Sequence, residues 1–191
     1  MVGTTYSWEE GLYTNDTLCW TACPTSNYST NTNSGYKQMK LTTDGVLEAI
    51  QVKNAVWNDY AEYRKTNPDV KYGQTVIDND DGSLSIANAR LLPGAQVVSD
   101  TWGHIMGETD DAKTPVAVAG RVLAYPYRDR NEYHAGQAVC TAPNGTIDIM
   151  TREEIRDYPD CIVGIVSEIP SYETWGSNNI NVDGRIWIKI K

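Results

Sequence analysis

Gly73-Gln74-Thr75-Val76, followed nine residues on by Gly82-Ser83-Leu84-Ser85-Ile86, and Gly136-Gln137-Ala138-Val139, followed nine residues on by Gly145-Thr146-Ile147-Asp148-Ile149, are two renderings of one pattern. Each reads as a strand, a glycine-bounded turn and a returning strand, with apolar and polar residues alternating in short runs. After each copy comes a polar stretch and then an apolar segment, Gln96-Val97-Val98 in the first and Ile162-Val163-Gly164-Ile165-Val166 in the second. A unit present twice predicts small β-modules in tandem, barrel-like or clip-like, sharing one core and covering about residues 72–99 and 135–167. Two copies are too few, and too far apart, for a solenoid.

The flanking sequence carries the same all-β signature. Residues 37–53 give Met39-Lys40-Leu41-Thr42, a turn at Thr43-Asp44-Gly45, and Val46-Leu47-Glu48-Ala49-Ile50-Gln51-Val52. Asp-Gly supplies the positive φ angles of a tight hairpin turn. One helix is expected, at residues 151–158, where Thr151 caps, Glu154 completes a capping box and Pro159 ends the run. Residues 24–35 are polar and turn-rich, and such a stretch cannot bury enough apolar surface to fold alone. The chain therefore divides near residue 57. Residues 1–57 form an extended N-terminal arm or anchor with a β-hairpin, and 58–191 form the β-rich module.

Composition narrows the function classes. The 191 residues carry a net charge of −9, and their sixteen Lys and Arg form no run, so direct nucleic-acid binding is not expected. No apolar stretch approaches the ~20 residues that span a bilayer, and the first residues lack the pattern of a signal peptide. Twelve Tyr and six Trp with no Phe suit surfaces that become interfaces. Cys19-Trp20-Thr21-Ala22-Cys23 has a spacing that could serve a zinc site. Cys140 and Cys161 lack such spacing, so the four cysteines read as structural thiols and no metal or other cofactor is expected. The two histidines, His104 and His134, stand in unrelated contexts, and no nucleophile has a recognisable partner. Asp78-Asn79-Asp80-Asp81 lacks the glycine placement and terminal Glu of a calcium loop and reads as a carboxylate-rich turn.

One cluster remains, Asp59-Tyr60-Ala61-Glu62-Tyr63. As a strand it puts Asp59, Ala61 and Tyr63 on one side and Tyr60 and Glu62 on the other. Spacing alone makes Asp59 and Glu62 a solvated edge whose carboxylates diverge.

Trp57-Asn58-Asp59-Tyr60-Ala61-Glu62-Tyr63, with Gly73-Gln74, Ser85-Ile86-Ala87-Asn88-Ala89 and Ile162-Val163-Gly164-Ile165-Val166-Ser167 downstream, resembles the C-terminal domain of phage pre-neck appendage proteins, the G2 peptidases. Related modules end phage head and tail fibres. The resemblance covers about residues 41–191 and departs from the family in a long insertion, residues 91–134. It implies a β-rich homotrimer acting as an intramolecular chaperone that then cuts itself off. Carried onto this chain, the cut falls between Asn58 and Asp59, with Asp59 and Glu62 as the catalytic acid/base pair. Such chemistry needs a raised pKa on one carboxyl, gained by burial in a subunit interface. Asn58 stands where the family is expected to have a small hydroxyl residue, and 58 residues before the cut make a short product, so the module is expected to stay uncut.

The expectation is thus a bacteriophage virion structural protein, a capsid decoration, head fibre or short tail appendage subunit and not an enzyme. Its partners are copies of itself, as a trimer, and other virion proteins gripped by the arm, with assembly in the host cytoplasm. Two alternatives stand beside it: an autoproteolytic chaperone using Asp59 and Glu62, and a receptor- or glycan-binding module in which Trp102, Trp175 or Tyr172 stack on sugar rings.

Overall fold

The computed structural model describes residues 58–67, 70–176 and 178–190 in full, and before them the backbone of four strands. The chain divides into two compact units, Met1–Ala55 and Val56–Lys191.

In the first unit, β1 (Tyr6–Leu12), β2 (Leu18–Pro24), β3 (Lys37–Leu41) and β4 (Leu47–Ala49) form an antiparallel sheet in chain order. The hairpin read from residues 37–53 is β3 and β4, with Leu41 opposite Leu47. It is half of a four-stranded meander, because the Tyr, Trp and Thr of β1 and β2 are strand formers too. The Asp44-Gly45 turn and the polar stretch after Pro24 lie outside the described residues.

The second unit is built on one ten-stranded, mostly antiparallel sheet that curls into a half-barrel. Its strands are β5 (Asp59–Arg64), β6 (Thr75–Asp78), β7 (Leu84–Ile86), β8 (Gln96–Val98), β9 (Trp102–Met106), β10 (Thr114–Ala124), β11 (Ala138–Ala142), β12 (Thr146–Ile149), β13 (Gly164–Glu168) and β16 (Ile186–Ile190). The short pair β14 (Thr174–Trp175) and β15 (Ile180–Asn181) forms a separate hairpin. The main path runs β12-β11-β13-β16-β10-β8-β6-β7, with β5 joining β10 to β9. The protein is mainly β.

The two patterned segments occupy opposite ends of this path, as β7-β6-β8 and β12-β11-β13. Their registers correspond residue for residue: Val76 faces Ile86 as Val139 faces Ile149, and Asp78 faces Leu84 as Thr141 faces Ile147. Gly73 N–H donates to Val98 O at 2.7 Å and Gly136 N–H to Val166 O at 2.8 Å. The glutamine that follows each glycine turns its side chain back onto its own turn. Gln74 Oε1 accepts from Lys71 N–H at 2.8 Å, and Gln137 Oε1 from His134 N–H at 2.6 Å. One short motif therefore serves one local purpose in both places, closing the turn that launches a strand.

Residues 91–134 supply β8, β9 and β10. β10 is the longest strand of the unit, pairing with β16 through Arg121–Ala124 and with β5 through Thr114–Gly120. A register shift between Ala117 and Ala119 interrupts its pairing with β5, shortly before the pairing with β16 begins at Arg121. The core gathers beneath it, with Val97, Val122, Val139, Ile147, Ile186 and Ile188 fully enclosed.

Among the described residues there is one α-helix, α1 (Arg152–Asp157), and its start is as the sequence requires. Thr151 Oγ1 accepts from Glu154 N–H, and the Glu154 carboxylate accepts from Thr151 N–H. Pro159 ends it by opening a 3₁₀ turn. Glu154 also takes two hydrogen bonds from Arg90, at 2.9 and 2.8 Å, which hold its carboxyl down at about 2. Arg90 and Arg128 both donate to Asp148, a carboxylate almost wholly enclosed between them. This network ties α1 and β12 to the segment before β8.

Candidate functional site

β5 is a continuous strand whose two sides differ as its alternation demands. Asp59 and Ala61 are buried, Tyr60 is exposed, and Glu62 is half-buried on the Tyr60 side. In register, Glu62 stands between Val116 of β10 and Met106 of β9, and Tyr60 lies beside His104 with ring centroids 5.6 Å apart.

Asp59 is the unusual group. It is 1% exposed, so the solvated edge expected from spacing does not hold for it. The reason is long-range: β10 covers one flank of the strand and β9 the other. Its Oδ1 accepts from Thr101 Oγ1 at 2.8 Å, while Oδ2 is buried without a hydrogen-bond partner among the described residues. Ser99 braces the arrangement by accepting from Thr101 N–H at 3.0 Å. Burial pushes the Asp59 carboxyl up to about 6; the hydroxyls of Ser99 and Thr101 pull the other way, and the charge of Asp100 adds to the rise.

The peptide bond before Asp59 is equally fixed. Asn58 O accepts from Arg121 N–H at 2.7 Å, and Gly120, at φ +106°, lets β10 pass against it. A Cβ at Gly120 would collide with that carbonyl oxygen. The Asn58 side-chain nitrogen is also buried without a hydrogen-bond partner among the described residues. Within one chain the fold thus brings together Asn58, Asp59, Ser99 and Thr101, and places Glu62 on the opposite side of the strand.

No protein-family model matches the chain, and neither a curated protein nor a solved structure matches it. The site's reading therefore rests on its own geometry.

Next to the Asp59 pocket, across Thr101, opens a hollow of about 250 Å³. Tyr72, Asp100, Trp102, Trp175 and Asn178 line it with Thr101. Sequence reading named Trp102 and Trp175 but not Tyr72, Asp100 or Asn178, which reach the same place from three separate turns. Tyr172, the third aromatic named, is engaged elsewhere. Its hydroxyl accepts from Trp187 Nε1 at 2.8 Å and pairs with Glu168 at 2.9 Å, under the β14–β15 hairpin.

Cys140 and Cys161 are buried free thiols pushed up by burial. Among the described residues no three His, Cys, Asp or Glu side chains are grouped to hold a metal ion. The side chains of Cys19 and Cys23 lie outside the described residues.

Proposed function

We propose that the chain is a structural subunit of a bacteriophage particle, a capsid decoration, head fibre or short tail appendage that works as a homotrimer. The observation that carries this reading is strand β9. Among the described strands it pairs with β5 alone, yet it is largely apolar and exposes Met106 at its far end from the hollow's Trp102. Tyr60 and Val118 add exposed apolar surface on the adjoining β5 and β10. Large apolar side chains exposed together on neighbouring strands are an association hazard unless another chain covers them. Within the segment that resembles the trimeric appendage modules, Asp59 to Tyr63 lie in β5, the strand beside β9. The equivalent hydrogen bonding of the Gly73-Gln74 and Gly136-Gln137 units supports a duplicated β-module as its building block. The N-terminal unit is the part we assign to anchoring on other virion proteins.

A second reading, self-cleavage between Asn58 and Asp59, is favoured by the Asp59 carboxyl, raised to about 6, and by the Arg121 N–H held on the Asn58 carbonyl oxygen. Water would add at the Asn58 carbonyl carbon, and the departing Asp59 nitrogen would take up a proton. Light scattering coupled to size exclusion, with intact mass of the chain, tests both readings. A trimer of uncut 21.2 kDa chains is the expected result. A monomer overturns the structural reading, and chains beginning at Asp59 put self-cleavage in its place.

A further inference from the structure

We propose that the hollow between Tyr72, Trp102 and Trp175 binds an uncharged sugar ring of a surface glycan.

The aromatic rings come first. Tyr72 is 51% and Trp102 41% exposed, although residues of this size are normally well covered. Trp175 is set edge-on against Trp187, with centroids 5.2 Å apart and planes at 74°, which fixes its orientation. Three large rings around one opening offer apolar faces at little entropic cost, since their rotamers are few. The C–H face of a pyranose is the complementary surface.

The polar groups decide the ligand class. Asp100 accepts two hydrogen bonds from Arg185, both at 2.8 Å. Arg185 is itself 4% exposed at its side chain and is held by the carbonyls of Asn181 and Val182. The carboxylate is therefore immobile before any ligand arrives. It keeps lone pairs that Arg185 does not use, and its side chain is 19% exposed. Such a group accepts from vicinal hydroxyls, and the Asn178 amide can both donate and accept.

Charge excludes the competing ligands. Among the described residues Asp100 is the one charged side chain lining the hollow, and Arg185 balances it. With no cation in that lining and a chain charge of −9, phosphate-bearing nucleotides and sialylated sugars are disfavoured. Size sets the scale. About 250 Å³ is below the roughly 300–1,000 Å³ of sites for drug-sized ligands, so it suits one ring and not an extended oligosaccharide.

The test is an NMR titration of the full-length protein with the methyl glycosides of glucose, galactose, mannose and N-acetylglucosamine, followed at the indole N–H signals. At least one glycoside should shift the Trp102 and Trp175 signals with millimolar affinity, and N-acetylneuraminic acid should not. Trp102→Ala and Tyr72→Ala should each weaken binding about tenfold, equivalent to about 1.4 kcal/mol, with an unchanged circular dichroism spectrum. If no glycoside moves those signals, or if binding persists undiminished in both variants, the proposal is overturned.

Discussion

Replacing Asp59 by Asn should change how the protein's stability depends on pH. The native carboxyl lies at about 6 against an ordinary 3.8. Folding therefore favours the protonated form, and the gap between those two values is worth about 3 kcal/mol. Between them the native state binds more protons than the unfolded state, so stability falls as pH rises. The contribution is fully present below 3.8 and is lost as pH climbs through 6. The Asp59→Asn side chain carries no charge at any pH and keeps an oxygen to accept from Thr101. The variant's stability relative to the parent should therefore rise by about 3 kcal/mol between roughly pH 3.5 and 7.5.

The difference between the two proteins is the quantity to measure, by urea unfolding followed at tryptophan fluorescence. Glu154, held at about 2 by Arg90, works in the opposite sense, its stabilisation being present above its ordinary 4.5 and lost as pH falls towards 2. Both proteins carry Glu154, so it cancels. For a chain of this size the effect equals about 6–12 °C in melting temperature. A constant offset from packing of the new amide shifts the whole curve without changing its slope. A difference that stays flat across this range, or that declines with pH, would refute the raised Asp59 pKa and the enclosed pocket that causes it.

Three further outcomes are expected. Gly120→Ala forces a side chain into a positive-φ position and against the Asn58 carbonyl, so it should destabilise by about 2–5 kcal/mol in chemical denaturation. Thr151→Ala removes half of the α1 capping box and should cost about 1 kcal/mol, with hydrogen exchange accelerating first at the amide of Glu154. Asp148→Ala leaves Arg90 and Arg128 without their shared acceptor; because both guanidiniums are partly exposed, the loss should be about 1–3 kcal/mol, read by calorimetry.

What is legible in the chain is what is local. The strand-turn-strand runs after Gly73 and Gly136 and the capping box at Thr151 depend on neighbours within about ten residues, and alternation and turn chemistry suffice to read them. The hairpin at residues 37–53 is legible for the same reason, while its place in a four-stranded sheet is not. Asp59 shows where the reading stops. Its alternation with Tyr60 holds, but its burial depends on Thr101 and Gly120, which lie 42 and 61 residues further along. The hollow lined by Tyr72, Asp100 and Trp175 is non-local in the same way, since these residues come from three distant parts of the chain. Residues 91–134, which read as a departure from a family pattern, supply β10, the strand that joins β5, β8 and β16 in one sheet.

The placement of β5 also constrains the chemistry open to the chain. Asp59 points to the interior and Glu62 to the other side, and β5 has no bulge that would turn one towards the other; the register shifts fall on β10 and β9 instead. A mechanism that needs both carboxyls at one peptide bond therefore cannot be assembled within a single copy. Either Asp59 acts with the hydroxyls of Ser99 and Thr101 alone, or a Glu62 from a second copy is brought to it. The second route requires the outer side of β5 and the neighbouring β9 to be covered, the same surface that the structural reading assigns to the trimer. Glu62→Gln then separates the cases. It should leave a cut that relies on Asp59 alone unchanged, whereas a cut shared between copies should disappear while the trimer persists.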